Sequence, residues 1–284
     1  MPTSVPSDSP VPLRAARDGV GLSGEASGDG PAVLLLHGLT ATRRYVVHGS
    51  RTLERGGVRV LAYDARGHGE SDPASDPAAY GYAELAADAV AVLDVAGAER
   101  AVLMGQSMGA ATAAAAALAA PERVAGLVLV TPAHRGRPSA NLERWDALAE
   151  GLERGGPEGF LAAYGRPRVP ERYVATVETV IRQRLARHRH PGAVADALRA
   201  VPRSAAFDGL DALREIAAPT LVVGSRDELD PDHPLEVAEA WAGRIPGARL
   251  VVEEPGESPL AWRGGSLSAV ALDFLGSPTP PGPR

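Results

Sequence analysis

The pentapeptide Gly105-Gln106-Ser107-Met108-Gly109 follows directly on the apolar run Ala101-Val102-Leu103-Met104 and precedes an alanine-rich stretch, 110–120. A serine set this way, on a sharp turn between a strand and a helix, exposes its hydroxyl as a nucleophile. Glycines at 105 and 109 are what such a turn requires, because bulkier residues would clash with the adjoining strand and helix. The start of the following helix turns free N–H groups and its positive dipole end toward an oxyanion developing beside the serine. Met108 is therefore the first expected oxyanion donor. The second is expected from Leu39, just after His37-Gly38 at the end of the apolar run Ala32–Leu36.

Two further segments carry groups suited to chemistry. Asp64-Ala65-Arg66-Gly67-His68-Gly69-Glu70-Ser71-Asp72 reads as a structured turn, with a structural role preferred over a metal site at His68. Arg43 and Arg44 follow the Leu39 loop, and their guanidinium groups match a substrate carboxylate or phosphate.

The elements that must position these groups are legible as alternating patterns. Apolar runs at Ala32–Leu36, Val58–Tyr63, Ala101–Met104, Leu127–Val130, Leu221–Val223 and Leu250–Val252 suit strands buried on both faces. An antiparallel pair is expected before them, around Leu13–Asp18 and Val20–Glu25. Leu85, Ala89, Val92, Leu93 and Ala96 share one helical face. The predicted fold class is α/β: a mostly parallel central sheet with helices on both faces and an inserted helical cap. The cap is the Arg-rich stretch 132–218, with helices predicted at Leu142–Arg154, Pro157–Tyr164, Glu171–Arg187 and Ala193–Ala200. The core is expected over 13–131 and 219–276, flanked by disordered segments 1–12 and 277–284.

Composition narrows the chemistry. The chain of 284 residues has no Cys, which excludes disulfides and thiolate catalysis. All 29 of its basic residues are Arg, which excludes a Schiff-base or P-loop lysine. A formal net charge of −6 argues against a nucleic-acid partner, and no apolar run is long enough to span a bilayer. A small-molecule substrate, no cofactor, no metal and a cytoplasmic location are expected.

His37-Gly38, the Asp64–Asp72 turn, the Ser107 elbow and the strand ending before Asp227 occur in an order that resembles the α/β-hydrolase superfamily, in particular its capped members. The resemblance implies the chain order nucleophile, acid, histidine. It places the acid at Asp227, with Glu228, Asp230 and Asp232 as neighbouring competitors. The superfamily's histidine belongs in the loop after the last strand, where Gly256-Glu257-Ser258-Pro259 stands here. No histidine follows His233, which is read as a helix-start residue. The general base is therefore expected to be Glu257 or a histidine from elsewhere, His134 at the root of the cap first. The implied activity is hydrolysis of a small ester, lactone or thioester through Ser107. The alternative is a catalytically silent member that binds a small molecule or a partner in the same pocket.

Overall fold

The computed structural model describes residues 9–227, 232–257, 262 and 264–276. Its centre is one eight-stranded sheet of order β1-β2-β4-β3-β5-β6-β7-β8. The strands are β1 (Val11–Arg17), β2 (Val20–Ser27), β3 (Ala32–Leu36), β4 (Arg59–Tyr63), β5 (Ala101–Gln106), β6 (Val124–Val130), β7 (Thr220–Gly224) and β8 (Arg249–Val252). β1 and β2 form the expected antiparallel hairpin, and β2 also runs antiparallel to β4. From β4 onward every pairing is parallel. β1 starts at Val11, so regular structure begins inside the segment 1–12 that the sequence suggested was disordered.

The helices are α1 (Thr52–Arg55), α2 (Tyr82–Val95), α3 (Met108–Ala119), α4 (Leu142–Tyr164), α5 (Glu171–Leu185), α6 (Pro191–Arg203), α7 (Leu235–Ala242) and α8 (Gly264–Gly276). Side chains alternate across a strand, so each central strand feeds two cores. Leu34, Leu36, Leu103, Leu127 and Leu129 pack with α2, α3 and α7 on one face. Val33, Leu35, Val102, Met104, Val128 and Val130 pack with Leu53 of α1 and Leu267 and Ala271 of α8 on the other. This is why the central strands read as unbroken apolar runs. β8 departs from that expectation: it is an edge strand, and Leu250 is 37% exposed.

α4, α5 and α6 all lie between β6 and β7 and share a third core of Leu148, Leu152, Phe160, Ile181, Val194 and Leu198. α4 breaks at Gly156, whose φ of 58° is left-handed, just before Pro157. That is the separation of two helical pieces that the sequence suggested. We refer to this block as the helical insertion.

Candidate active site

The order of strands decides where a site forms. The chain leaves β3 for β4 on one side and then returns to β5 on the other. Loops after β3 and β5 therefore diverge, and a crevice opens at their carboxyl ends. Ser107 follows β5 and Gly38-Leu39 follow β3, so both face that crevice.

Ser107 takes φ 54° and ψ −112°, a strained conformation for a residue with a side chain. The strain is held by crowding on both sides. A Cβ on Gly105 would lie 2.1 Å from the Gly109 carbonyl oxygen, and one on Gly109 would lie 2.0 Å from that of Leu36. The carbonyl of Ser107 accepts from the N–H groups of Ala110 (3.0 Å) and Ala111 (3.2 Å), which starts α3 at the turn. A Cβ on Gly38 would stand 3.5 Å from the Ser107 Cβ, so the β3 loop lies against the Ser107 turn. Among the described residues neither the Leu39 nor the Met108 N–H has a hydrogen-bond acceptor.

The group that meets the serine is His233. Its Nε2 lies 2.7 Å from the Ser107 Oγ. His233 was read from sequence as a helix-start residue, yet α7 begins at Leu235 after Pro234, and the histidine stands ahead of it on the β7–α7 loop. A signal was available: this loop leaves the carboxyl end of a central strand and carries both Asp227 and a histidine. Asp227 lies where the sequence placed it, with its N–H donating to Ser225 Oγ at 3.2 Å. Glu228 and Asp230 lie outside the described residues. Ser107, Asp227 and His233 follow one another in the order that the resemblance implies for nucleophile, acid and histidine, with the histidine one strand earlier than expected.

Three expected site residues are engaged elsewhere. Glu257 is exposed, and its Oε2 accepts from the N–H of Glu254 at 3.1 Å. Its loop turns that carboxylate back on its own backbone, so it is not what meets Ser107. His134 is partly buried between Tyr82 and Phe207, and its Nε2 accepts from the N–H of Ala206 at 3.1 Å. Burial pulls its pKa down to about 4. Arg43 is bound to the buried Asp64 and, at 2.9 Å, to Glu70. A guanidinium held by two carboxylates has little capacity left for a substrate anion. Arg44 beside it is exposed and has no ion pair among the described residues.

The Asp64–Asp72 turn is structural in its contacts. Asp64 also accepts from the N–H groups of Arg43 (2.8 Å) and Glu70 (3.0 Å), and Ser71 Oγ donates to its carbonyl at 2.6 Å. Arg66 is buried on Asp88 of α2 through two bonds of 2.6 and 2.7 Å.

A column of three histidines runs behind this turn. His37 and His68 have ring centroids 5.1 Å apart, and His68 and His188 5.5 Å. His37 Nδ1–H donates to the Gly38 carbonyl, and its Nε2 accepts from Ala65 N–H. His188 comes from the helical insertion. Its Nδ1 accepts from Gly69 N–H and its Nε2–H donates to the Thr40 carbonyl, both at 2.9 Å. Thr40 adjoins Leu39 and has a left-handed φ of 64°. His188 therefore ties the insertion to the loop that carries a candidate oxyanion donor. Burial lowers the pKa of all three, that of His188 to about 4, so each is a neutral imidazole at pH 7. No group of three or more metal-ligating side chains occurs among the described residues.

A family profile described as the alpha/beta hydrolase fold matches residues 31–262. A protein of Variovorax paradoxus named as a carbamate hydrolase, RutD, is 34% identical over 203 residues, covering 70% of this chain and 75% of that protein. Among solved structures, an enol-lactonase from Burkholderia xenovorans superposes with a TM-score of 0.77 at 25% identity, covering 93% of this chain and all of that one. A malate-bound thermophilic esterase from Thermogutta terrifontis superposes with a TM-score of 0.75 at 29% identity, covering 94% and 98%.

Proposed function

The chain belongs to the alpha/beta hydrolase fold family, and on that premise we propose that it is a serine hydrolase of small carboxylic esters or lactones, with Ser107 as nucleophile and His233 as general base. The observation that carries this reading is the 2.7 Å contact of His233 Nε2 with Ser107 Oγ at a strained elbow. A base in hydrogen-bond reach of a serine hydroxyl is the minimum for its activation. The names lactonase, esterase and carbamate hydrolase that these similar proteins carry each denote cleavage at a carbonyl carbon bonded to a heteroatom, which supports an acyl-transfer chemistry.

In this reading Ser107 Oγ attacks the substrate carbonyl as its proton passes to His233 Nε2. The N–H groups of Leu39 and Met108 receive the oxyanion. His233 then returns the proton to the leaving alkoxide, and a water activated by the same imidazole releases the acid. Asp227 is the carboxylate assigned to orient the imidazole. No cofactor takes part. The contact of the histidine with the serine favours this reading over a silent binding protein, which has no need of a base at the hydroxyl.

The test is labelling by a fluorophosphonate probe, with turnover of a short-chain aryl acetate in parallel. Wild type is expected to label and Ser107→Ala not to. His233→Gln should slow labelling by about 10²-fold or more, since general-base assistance is worth that much. Glu257→Gln should label at the wild-type rate. Equal labelling of wild type and His233→Gln, or no labelling of wild type, would refute the assignment.

A further inference from the structure

His233 is held on a loop, and something must fix its ring against Ser107. The residue before it supplies the grip. Asp232 accepts two bonds from one guanidinium, Arg144 Nη1 at 2.5 Å and Nη2 at 3.0 Å. Arg144 lies in the first turn of α4, in the helical insertion rather than in the sheet domain.

Arg144 is itself braced. Its N–H donates to Asn141 Oδ1 at 3.2 Å, which caps α4. Its guanidinium stands over the rings of Trp145 at 5.7 Å and Tyr164 at 5.8 Å. Trp145 Nε1 donates to Ser139 Oγ, and Ser139 N–H donates to the Pro202 carbonyl of α6. Behind them Leu148 and Leu152 of α4 pack on Val194 and Leu198 of α6. A continuous physical path therefore runs from the core of the insertion through Arg144 and Asp232 to His233 and the nucleophile.

We propose that Arg144 is a positioning residue: through its bidentate pair with Asp232, the helical insertion holds His233 against Ser107, and the base is in place only while the insertion is seated. The inference rests on the reading of Ser107 and His233 given above. A planar fork that takes both carboxylate oxygens fixes orientation as well as distance, which a single contact does not. Both side chains are about one-third exposed, at 33% and 34%, so the pair contributes little to global stability. Its consequence lies in placement, because a displacement of about 1 Å at a catalytic group costs as much as 10²-fold in rate.

The experiment measures the saturable kinetics of fluorophosphonate labelling in the full chain. Arg144→Met retains the aliphatic stem and removes the fork, and Asp232→Asn removes the charge it binds. Each variant is expected to lower the maximal labelling rate about tenfold or more with the probe's half-saturation concentration unchanged. The double variant should be no slower than the worse single one, since both remove the same link. Thermal midpoints should stay at the wild-type value. If wild type labels and His233→Gln does not, while Arg144→Met labels at the wild-type maximal rate, the positioning role is overturned and the Ser107–His233 reading stands. Single losses that multiply in the double variant, or that track a fall in thermal midpoint, overturn it as well. If His233→Gln labels like wild type, the underlying reading fails first.

Discussion

At the scale of single residues, the strained turn at Ser107 was legible because its requirements are mostly local. Gly105, Ser107 and Gly109 lie within one turn; the clash that excludes a side chain at 105 comes from sequence-adjacent backbone at Gly109, and only the one at 109 comes from a distant element, Leu36 at the end of β3. The proposed base was not, because a histidine's position in the fold depends on where a loop carries it in space. His134, Glu257 and His233 all lie near strand ends in sequence, and only the last reaches Ser107. The paired arginines were half legible. Arg43 is drawn to Asp64, whose buried carboxylate needs a cation, and Arg44 is left facing solvent. We therefore propose Arg44, and not Arg43, as the group that would meet a substrate anion. For a half-ester of a dicarboxylic acid, Arg44→Ala should raise KM roughly 3- to 10-fold, as expected for losing one charge-assisted contact at an exposed site. KM for the matching neutral diester should stay constant. Equal changes for both esters would show that Arg44 does not read charge.

At the scale of elements, the central strands were readable because burial on both faces forces apolar residues at every position. β8 looked the same in sequence but is an edge strand, a distinction that depends on strand order and not on composition. The insertion's helices were readable from periodicity, and Gly156-Pro157 marked the break in α4. What periodicity does not give is the contact between elements. His188 joins the α5–α6 linker to both the Thr40 turn and Gly69 with one neutral ring. His188→Phe keeps the bulk but leaves a buried N–H and a buried carbonyl without partners. That should cost about 1–3 kcal/mol of stability, the usual penalty for such a loss. Labelling of Ser107 should slow as well, because Thr40 adjoins Leu39. A urea midpoint unchanged from wild type would mean that the ring fills space and ties nothing.

At the scale of the whole molecule, four histidines share an environment that couples the fold to pH. Burial lowers the pKa of His37, His68, His134 and His188, the last two to about 4. His68 is the extreme case: its Nδ1 faces the Arg66 carbonyl, its Nε2 is buried without a hydrogen-bond partner, and two more imidazoles flank it. The sign follows from proton binding. In the unfolded chain a histidine titrates near 6.5, so as pH falls below about 6.5 the unfolded state takes up protons that the folded state refuses. Stability is whole above that value and declines as pH falls, for His134 and His188 toward their folded pKa of about 4. His134 and His188 each contribute a loss of about 1.4 kcal/mol per pH unit within that window. Between pH 7.5 and 5.0 that amounts to roughly 2 kcal/mol for each of these two, His37 and His68 acting in the same direction, and carboxylates remain mostly ionised over the same range. Urea unfolding at the two pH values should therefore show a large loss in wild type. His134→Leu removes one titrating group together with its bond to Ala206, so it should be less stable than wild type at pH 7.5. On acidification it should lose roughly 2 kcal/mol less than wild type, and the two stability curves should converge. Parallel curves would show that His134 does not resist protonation in the folded protein. Convergence would place it among the groups that set the acid limit of the fold, a role distinct from the base once expected of it.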